Sequence, residues 1–207
     1  MTAIEDTRPR STRLPRMARR QQLLGAALEV FVAQGYHAAA MDDIAERAGV
    51  SKPVLYQHFP GKLDLYLALL DQHCEALLQA VREALDSTTD NRQRVEATIS
   101  AYFDFVDNPG GAFRLVFESD LTNEQAVRER VERVARTCAE AASALIAEDT
   151  GRSPEEAMLL AIGLTGIAQV TARYWVATQG AVPRDAAAQL TANLVWRGVA
   201  GFPRREG

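Results

Sequence analysis

The chain is poor in the residues and motifs that mark most catalytic or metal-binding proteins. Only two of its 207 residues are cysteine, Cys74 and Cys138, 64 positions apart. They form no CxxC pair and no metal-ligand spacing, so both read as small apolar residues in a reduced compartment. Histidine occurs three times, at His37, His58 and His73. No HExxH, Ser-His-Asp, P-loop or GxGxxG arrangement accompanies them, which argues against an enzyme and leaves no cofactor or metal to expect. There is no convincing strand run and no fixed-period repeat. The longest apolar stretch, 158–170, is interrupted by Gly163, Thr165, Gly166 and Gln169. It is too short for a bilayer span and reads as a buried helix. No signal peptide is visible, so the expectation is a cytoplasmic protein with no membrane partner. Lysine is also scarce: Lys52 and Lys62 are the only two, against 21 arginines.

The net charge of −4 is unevenly placed. Residues 1–62 carry nine basic and six acidic side chains, a net +3, whereas residues 63–207 carry 14 and 21, a net −7. A basic third joined to an acidic remainder suits a DNA-contacting head on a body that does not adhere to DNA.

Residues 1–15 contain Pro9 and Pro15 among Ser, Thr and Arg and read as a flexible arm. From Arg16, apolar residues recur at helical spacing through Leu23, Leu24, Ala27, Leu28, Phe31 and Val32, and Gly35 stops the helix. Residues 42–48 form a short helix ended by Gly49. Ser51 can cap a third helix that runs to about Phe59, with Pro53 tolerated in its first turn. A longer helix spans about 62–85. Further helices are expected at 92–106, 113–118, 123–147, 154–178 and 184–201, separated by polar or Gly/Pro breaks. The reading is all-α: about nine helices, a three-helix head over 16–62 and a helical bundle over 63–207.

The stretch AMDDIAERAGVSKPVLYQHF (40–59) is the most informative. Ile44, Ala45 and Ala48 face inward, Gly49 turns the chain, Val50 plugs the turn and Leu55 continues the core. A tight helix-turn-helix needs a residue that tolerates positive φ at the turn and a small residue where the helices cross; Gly49 and Ala45 supply them. The second helix is left with an outer face of Lys52, Val54, Gln57 and His58, with Tyr56 alongside, which can donate to phosphates or read base edges.

With IAERAGVSKPVLYQHFPGK, and RRQQLLGAALEVFVAQGYHAAAM upstream, the chain resembles the TetR family of transcriptional regulators over about residues 17–77. ARYWV (172–176) and LVWRGVAGF (194–202) resemble its last two helices more loosely. The resemblance implies a homodimer, a palindromic operator in double-stranded DNA and a small-molecule effector. Lys52, Pro53, Val54 and Gln57 then occupy the recognition helix. Gln57 can pair with adenine, Lys52 with guanine or a phosphate, and Val54 or Pro53 can touch a thymine methyl. Tyr56, His58 and Lys62 match positions that grip phosphates. Two departures stand out. Ala39-Ala40 replaces the Ser or Thr that caps the second helix, and Asp42 stands where some relatives carry a basic base-reader. Met41 remains available for an apolar contact.

Arg10, Arg13 and Arg16 of the arm are expected to enter the adjacent minor groove. In the body, Phe103, Phe113, Phe117, Tyr174 and Trp175 are the aromatic candidates for an effector cavity, favouring an apolar or aromatic ligand. Gly163, Gly166, Leu190, Leu194, Val195 and Val199 are the candidates for a four-helix dimer interface. The expected mechanism is repression relieved when effector moves the 62–85 helix; an activator, or a regulator answering to a protein partner, is the alternative.

Overall fold

A computed structural model describes residues 14–108, 111, 121 and 123–198. The described residues form eight helices and no strand: α1 (Arg16–Ala38), α2 (Met41–Arg47), α3 (Lys52–His58), α4 (Lys62–Asp86), α5 (Asn91–Val106), α6 (Gln125–Thr150), α7 (Pro154–Ala177) and α8 (Arg184–Arg197). The ninth expected helix, 113–118, lies outside the described residues, as do Arg10, Arg13, Phe113, Phe117 and Val199.

In the head, α1 buries Leu23, Leu24, Ala27, Val30 and Phe31. This is the stripe expected of an amphipathic helix; each large apolar side chain taken from water contributes about 1.5–3 kcal/mol. Gly35 breaks α1 with φ 77° rather than ending it: three more helical residues follow the kink. Ile44, Ala45 and Ala48 of the second helix and Leu55 of the third are buried against this stripe. Gly49 makes the turn between them at φ +64°, a conformation that costs an L side chain roughly 1–2 kcal/mol. Gln22 donates to the Ala48 carbonyl at 2.7 Å, and Arg47 pairs with Glu29, so polar contacts also hold the helix-turn-helix to α1. The Ser51 side chain makes no capping bond, contrary to expectation, and Ala40 begins α2 uncapped.

The fourth helix belongs to head and body at once. Its Tyr66 packs edge-on to Phe31 and Tyr36, with centroids 5.3 and 5.2 Å away. Farther along, Leu70, Leu77 and Val81 are buried, and α4 packs against both α5 and α6. Arg130 of α6 donates to Asp71 of α4 at 2.7 Å. The buried residues of head and body accordingly form one connected core. The expected boundary near residue 62 falls at the start of the helix that joins the two.

The later helices have clear local causes. Asp90 accepts from the Gln93 amide and starts α5 one residue earlier than expected. Ser153 and Glu156 form a reciprocal capping box at the start of α7, where Pro154 occupies a position that needs no amide donor. The last helix stops at Gly198, short of the expected end near 201. The expectation of a buried helix at 158–170 is corrected. It is alanine that α7 buries, at 157, 161, 168 and 172. Leu159, Ile162, Val170 and Tyr174 point outward, at 72, 57, 64 and 70% exposure.

Candidate DNA-binding face and effector cavity

The third helix places Lys52, Pro53, Tyr56 and Gln57 in solvent, with Val54 and His58 half-buried. Lys52 and Tyr56, Pro53 and Gln57, and Val54 and His58 are each four residues apart, so they stack in neighbouring rows along the helix. Met41 is half-buried and packs onto the core, and Arg16 opens α1 in solvent. Lys52 is not free: its ammonium donates to Asp42 Oδ2 at 2.5 Å, a contact that raises the lysine pKa. The His58 pKa is lowered, first by desolvation and then by the nearby positive charges of Arg16, Arg20 and Arg19. Arg20 itself lies over the Phe59 ring at 4.4 Å.

Lys62 sits differently from the phosphate role implied by the resemblance. Its ammonium donates to the carbonyls of Tyr36, Ala39 and His37 at 2.8, 2.9 and 3.3 Å and lies 4.5 Å from the Tyr36 ring centroid. All three of its N–H groups are directed at the chain leaving α1. The physical reason is the end of α1 at Ala38: the carbonyls of the last turn have no helical partner, and Lys62, the first residue of α4, lies within reach of them.

The body holds a cavity of about 410 Å³ between α4, α5, α6, α7 and α8. Its walls include Val81 and Leu85 of α4, Leu145 and Ile146 of α6, and Leu160 and Leu164 of α7. Polar residues collect along α5, among them Asn91, Arg94, Thr98 and Tyr102, and at the end of α6, with Asp149 and Thr150. Arg94 donates to Asp149 at 3.0 Å and to the Leu85 and Thr88 carbonyls at 3.2 and 2.8 Å. Cys138 lines the cavity; burial raises its pKa.

None of the described aromatic candidates lines this cavity. Phe103 is buried in the core, its ring 5.8 Å from that of Trp175. Trp175 donates its indole N–H to the Val182 carbonyl at 2.7 Å, closing the turn before α8. Tyr174 is on the outer surface. Val195, expected at the dimer interface, lines the cavity instead, together with Trp196. Gly163 and Leu190 are exposed, and Gly166 and Leu194 are intermediate. The missed cavity residues did leave a sequence signal. Arg94, Thr98 and Tyr102 recur every four residues between the apolar Val95 and Ile99, on a helix whose neighbours are otherwise core.

A helix-turn-helix with an open recognition face, joined by one long helix to a cavity-bearing bundle, defines a ligand-responsive DNA-binding regulator. The chain belongs to the TetR family of bacterial transcriptional regulators. Residues 23–69 match the family model described as bacterial regulatory proteins, tetR family, and residues 80–207 match the tetracyclin repressor-like C-terminal domain. It is 47% identical over 194 residues to the HTH-type transcriptional activator FasR of Mycolicibacterium smegmatis, covering 94% of this chain and 89% of that protein. Its fold matches a TetR-like transcriptional regulator from Rhodococcus sp. RHA1 with TM-score 0.72 and 29% identity, over 92% of this chain and 100% of that one. It also matches the regulator FadR of Bacillus subtilis, solved in complex with stearoyl-CoA, with TM-score 0.75 and 18% identity, over 86% and 98%.

Proposed function

We propose that the protein is a homodimeric cytoplasmic regulator that binds a palindromic operator through α3 and is controlled by a long-chain fatty-acyl compound held in the body cavity. The observation that carries this reading is the cavity itself: apolar walls, a polar row along α5 and an arginine at one end suit an apolar chain with an anionic head. The stearoyl-CoA bound by the structurally similar FadR is of this chemical class. An activator is favoured over the repressor expected from sequence, because the relative that covers nearly the whole chain is named an activator.

On DNA, Lys52, Pro53, Val54 and Gln57 face the bases, Tyr56 and His58 the phosphates, and Met41 makes an apolar contact. Arg16 and the arm bearing Arg10 and Arg13 reach the minor groove. Two copies are needed because one short recognition helix reads too little sequence. The outer face of α7 and α8 is the proposed interface. Leaving Leu159, Ile162, Val170 and Leu190 in water is unfavourable, and a second copy covers them. A Cβ added at Gly163 or Gly166 would meet nothing within 4 Å in the protomer, so the space these glycines leave is open to a partner helix. By length and composition α7 also qualifies as a membrane span, but a helix covered by a second copy passes the same test.

The fourth helix links the two sites. Val81 and Leu85 touch the cavity, and Lys62, about 28 Å away along the helix, holds the α1–α2 junction. Ligand that prefers one tilt of α4 shifts the separation of the two recognition helices. Selection of bound sites from random DNA tests the reading, followed by titration of the selected site with and without stearoyl-CoA. A palindrome with half-site centres about 34–36 Å apart is expected, with affinity changed about tenfold by the acyl compound. Absence of an enriched palindrome, or an affinity indifferent to acyl compounds, refutes the corresponding half of the proposal.

A further inference from the structure

A plain hydrocarbon chain does not satisfy the inner end of the cavity. Arg94, Thr98 and Tyr102 stack along one face of α5, and eight residues of helix place the first and last about 12 Å apart. At the outer end Arg94 Nε and Nη1 are engaged by Asp149, Asn91 and two backbone carbonyls. At the inner end the polar atoms are unsatisfied. Tyr102 is only 1% exposed, and its hydroxyl has no partner in good hydrogen-bond geometry, although the side chains of Cys138 and Gln169 lie close enough to interact weakly with it. The Thr98 hydroxyl, one turn nearer Arg94, is likewise buried without a partner.

The contrast with other helical threonines is informative. Thr150, Thr171, Thr178 and Thr191 each return their hydroxyl to the carbonyl four residues earlier, and the two helical threonines besides Thr98 that do not, Thr137 and Thr165, are only partly buried. Thr98 does not, although the same bond is open to any helical threonine. Beside Tyr102 stand Cys138, a weak hydrogen-bonding group, and Gln169, whose amide nitrogen is also buried and unpartnered. Buried polar groups in native proteins are normally paired, and two orphans on one wall of a cavity point to a partner that enters it.

We propose that the effector carries an oxygen acceptor, a ketone or an equivalent carbonyl, within its apolar chain, and that Tyr102 and Thr98 bind it at the inner end of the cavity. This rests on the reading of the cavity as the site of a fatty-acyl compound. The head remains at Arg94, about 12 Å away. Burial keeps the Tyr102 phenol protonated, so it donates to the carbonyl, and the Thr98 hydroxyl supplies the second donor. The α5 wall then reads where along the chain the oxygen lies, and the apolar walls read the chain itself. A saturated chain leaves both hydroxyls unpaired, which is the kind of mismatch that discriminates most strongly between otherwise similar ligands.

The test uses full-length protein and three probes: stearic acid, an oxo-stearic acid with its ketone next to the head, and one with its ketone at mid-chain. Affinities are measured for the wild type, Tyr102→Phe and Thr98→Val, with operator binding in the absence of ligand as the check on folding. The wild type is expected to bind the mid-chain oxo acid about tenfold more tightly than stearic acid. Tyr102→Phe should abolish that preference while leaving stearic acid affinity in place, and Thr98→Val should reduce it. Thr98→Val alone carries the comparison if Tyr102→Phe does not fold. Equal binding of all three acids by the wild type, or a preference that survives both substitutions, overturns the inference and leaves the fatty-acyl reading standing. Failure of the wild type to bind any of the acids overturns both.

Discussion

Replacing Lys62 by methionine separates two roles that one lysine can play. Methionine preserves most of the apolar stem and removes only the charged head. The head donates to the carbonyls of Tyr36, His37 and Ala39, and among the described residues no other donor reaches all three. Hydrogen bonds to charged groups contribute about 1.5–3 kcal/mol when their loss leaves a buried partner unpaired. Lys62 is only partly buried, so water replaces some of what is lost, and the net cost is about 2 kcal/mol. For a chain of this size that lowers the melting temperature by roughly 4–8 °C. The assay pairs a thermal melt with operator titrations over a range of salt. As a clasp between α1, α2 and α4, Lys62→Met weakens operator binding by loosening the head, and the salt slope stays nearly constant. As a phosphate ligand, it lowers the slope by about 1.8 for a dimer that loses two contacts. An unchanged melt together with that drop in slope refutes the clasp.

Three further outcomes are expected. Asp42→Ala releases Lys52 from its ion pair; affinity for both operator and random-sequence DNA should rise several-fold at low salt, and an unchanged affinity would show that the pair does not restrain the lysine. A Cβ at Gly166 meets nothing within 4 Å in the protomer, so Gly166→Leu should leave the chain folded while sedimentation shows monomer; a persistent dimer would remove α7 from the interface. His73 has its pKa lowered by burial, so protonation favours the unfolded chain. Its stabilising contribution is complete above the ordinary histidine value near 6.5 and is lost as pH falls below it. His73→Gln should therefore flatten the decline in melting temperature between about pH 6.5 and 5, leaving the share due to His58, whose pKa is lowered too. Equal declines in variant and wild type would show that His73 does not control it.

By itself the sequence determined what local chemistry and periodicity can specify. Gly49 needs a positive φ, and the apolar positions Ile44, Ala45, Ala48 and Leu55 recur at helical spacing, so the helix-turn-helix is legible in the sequence alone. The same holds for α4 and for the start of α7 at Ser153 and Pro154. Partnerships between residues distant in the chain were decided only by tertiary structure. Lys62 and Tyr36 are 26 residues apart, Lys52 and Asp42 lie on different helices, and Arg94 meets Asp149 across 55 residues. Aromatic content marked Phe103 and Trp175 as ligand residues, but they pack against each other with their rings tilted by 58°, and α5 turned Thr98 and Tyr102 to the cavity instead. Hydrophobicity along α7 was plain in the sequence. Which of its faces points inward was not, because alanine and leucine are both apolar and only the packing of neighbouring helices selects the smaller residue for close approach. Periodicity fixes how a helix is patterned; the helices around it fix what each face touches.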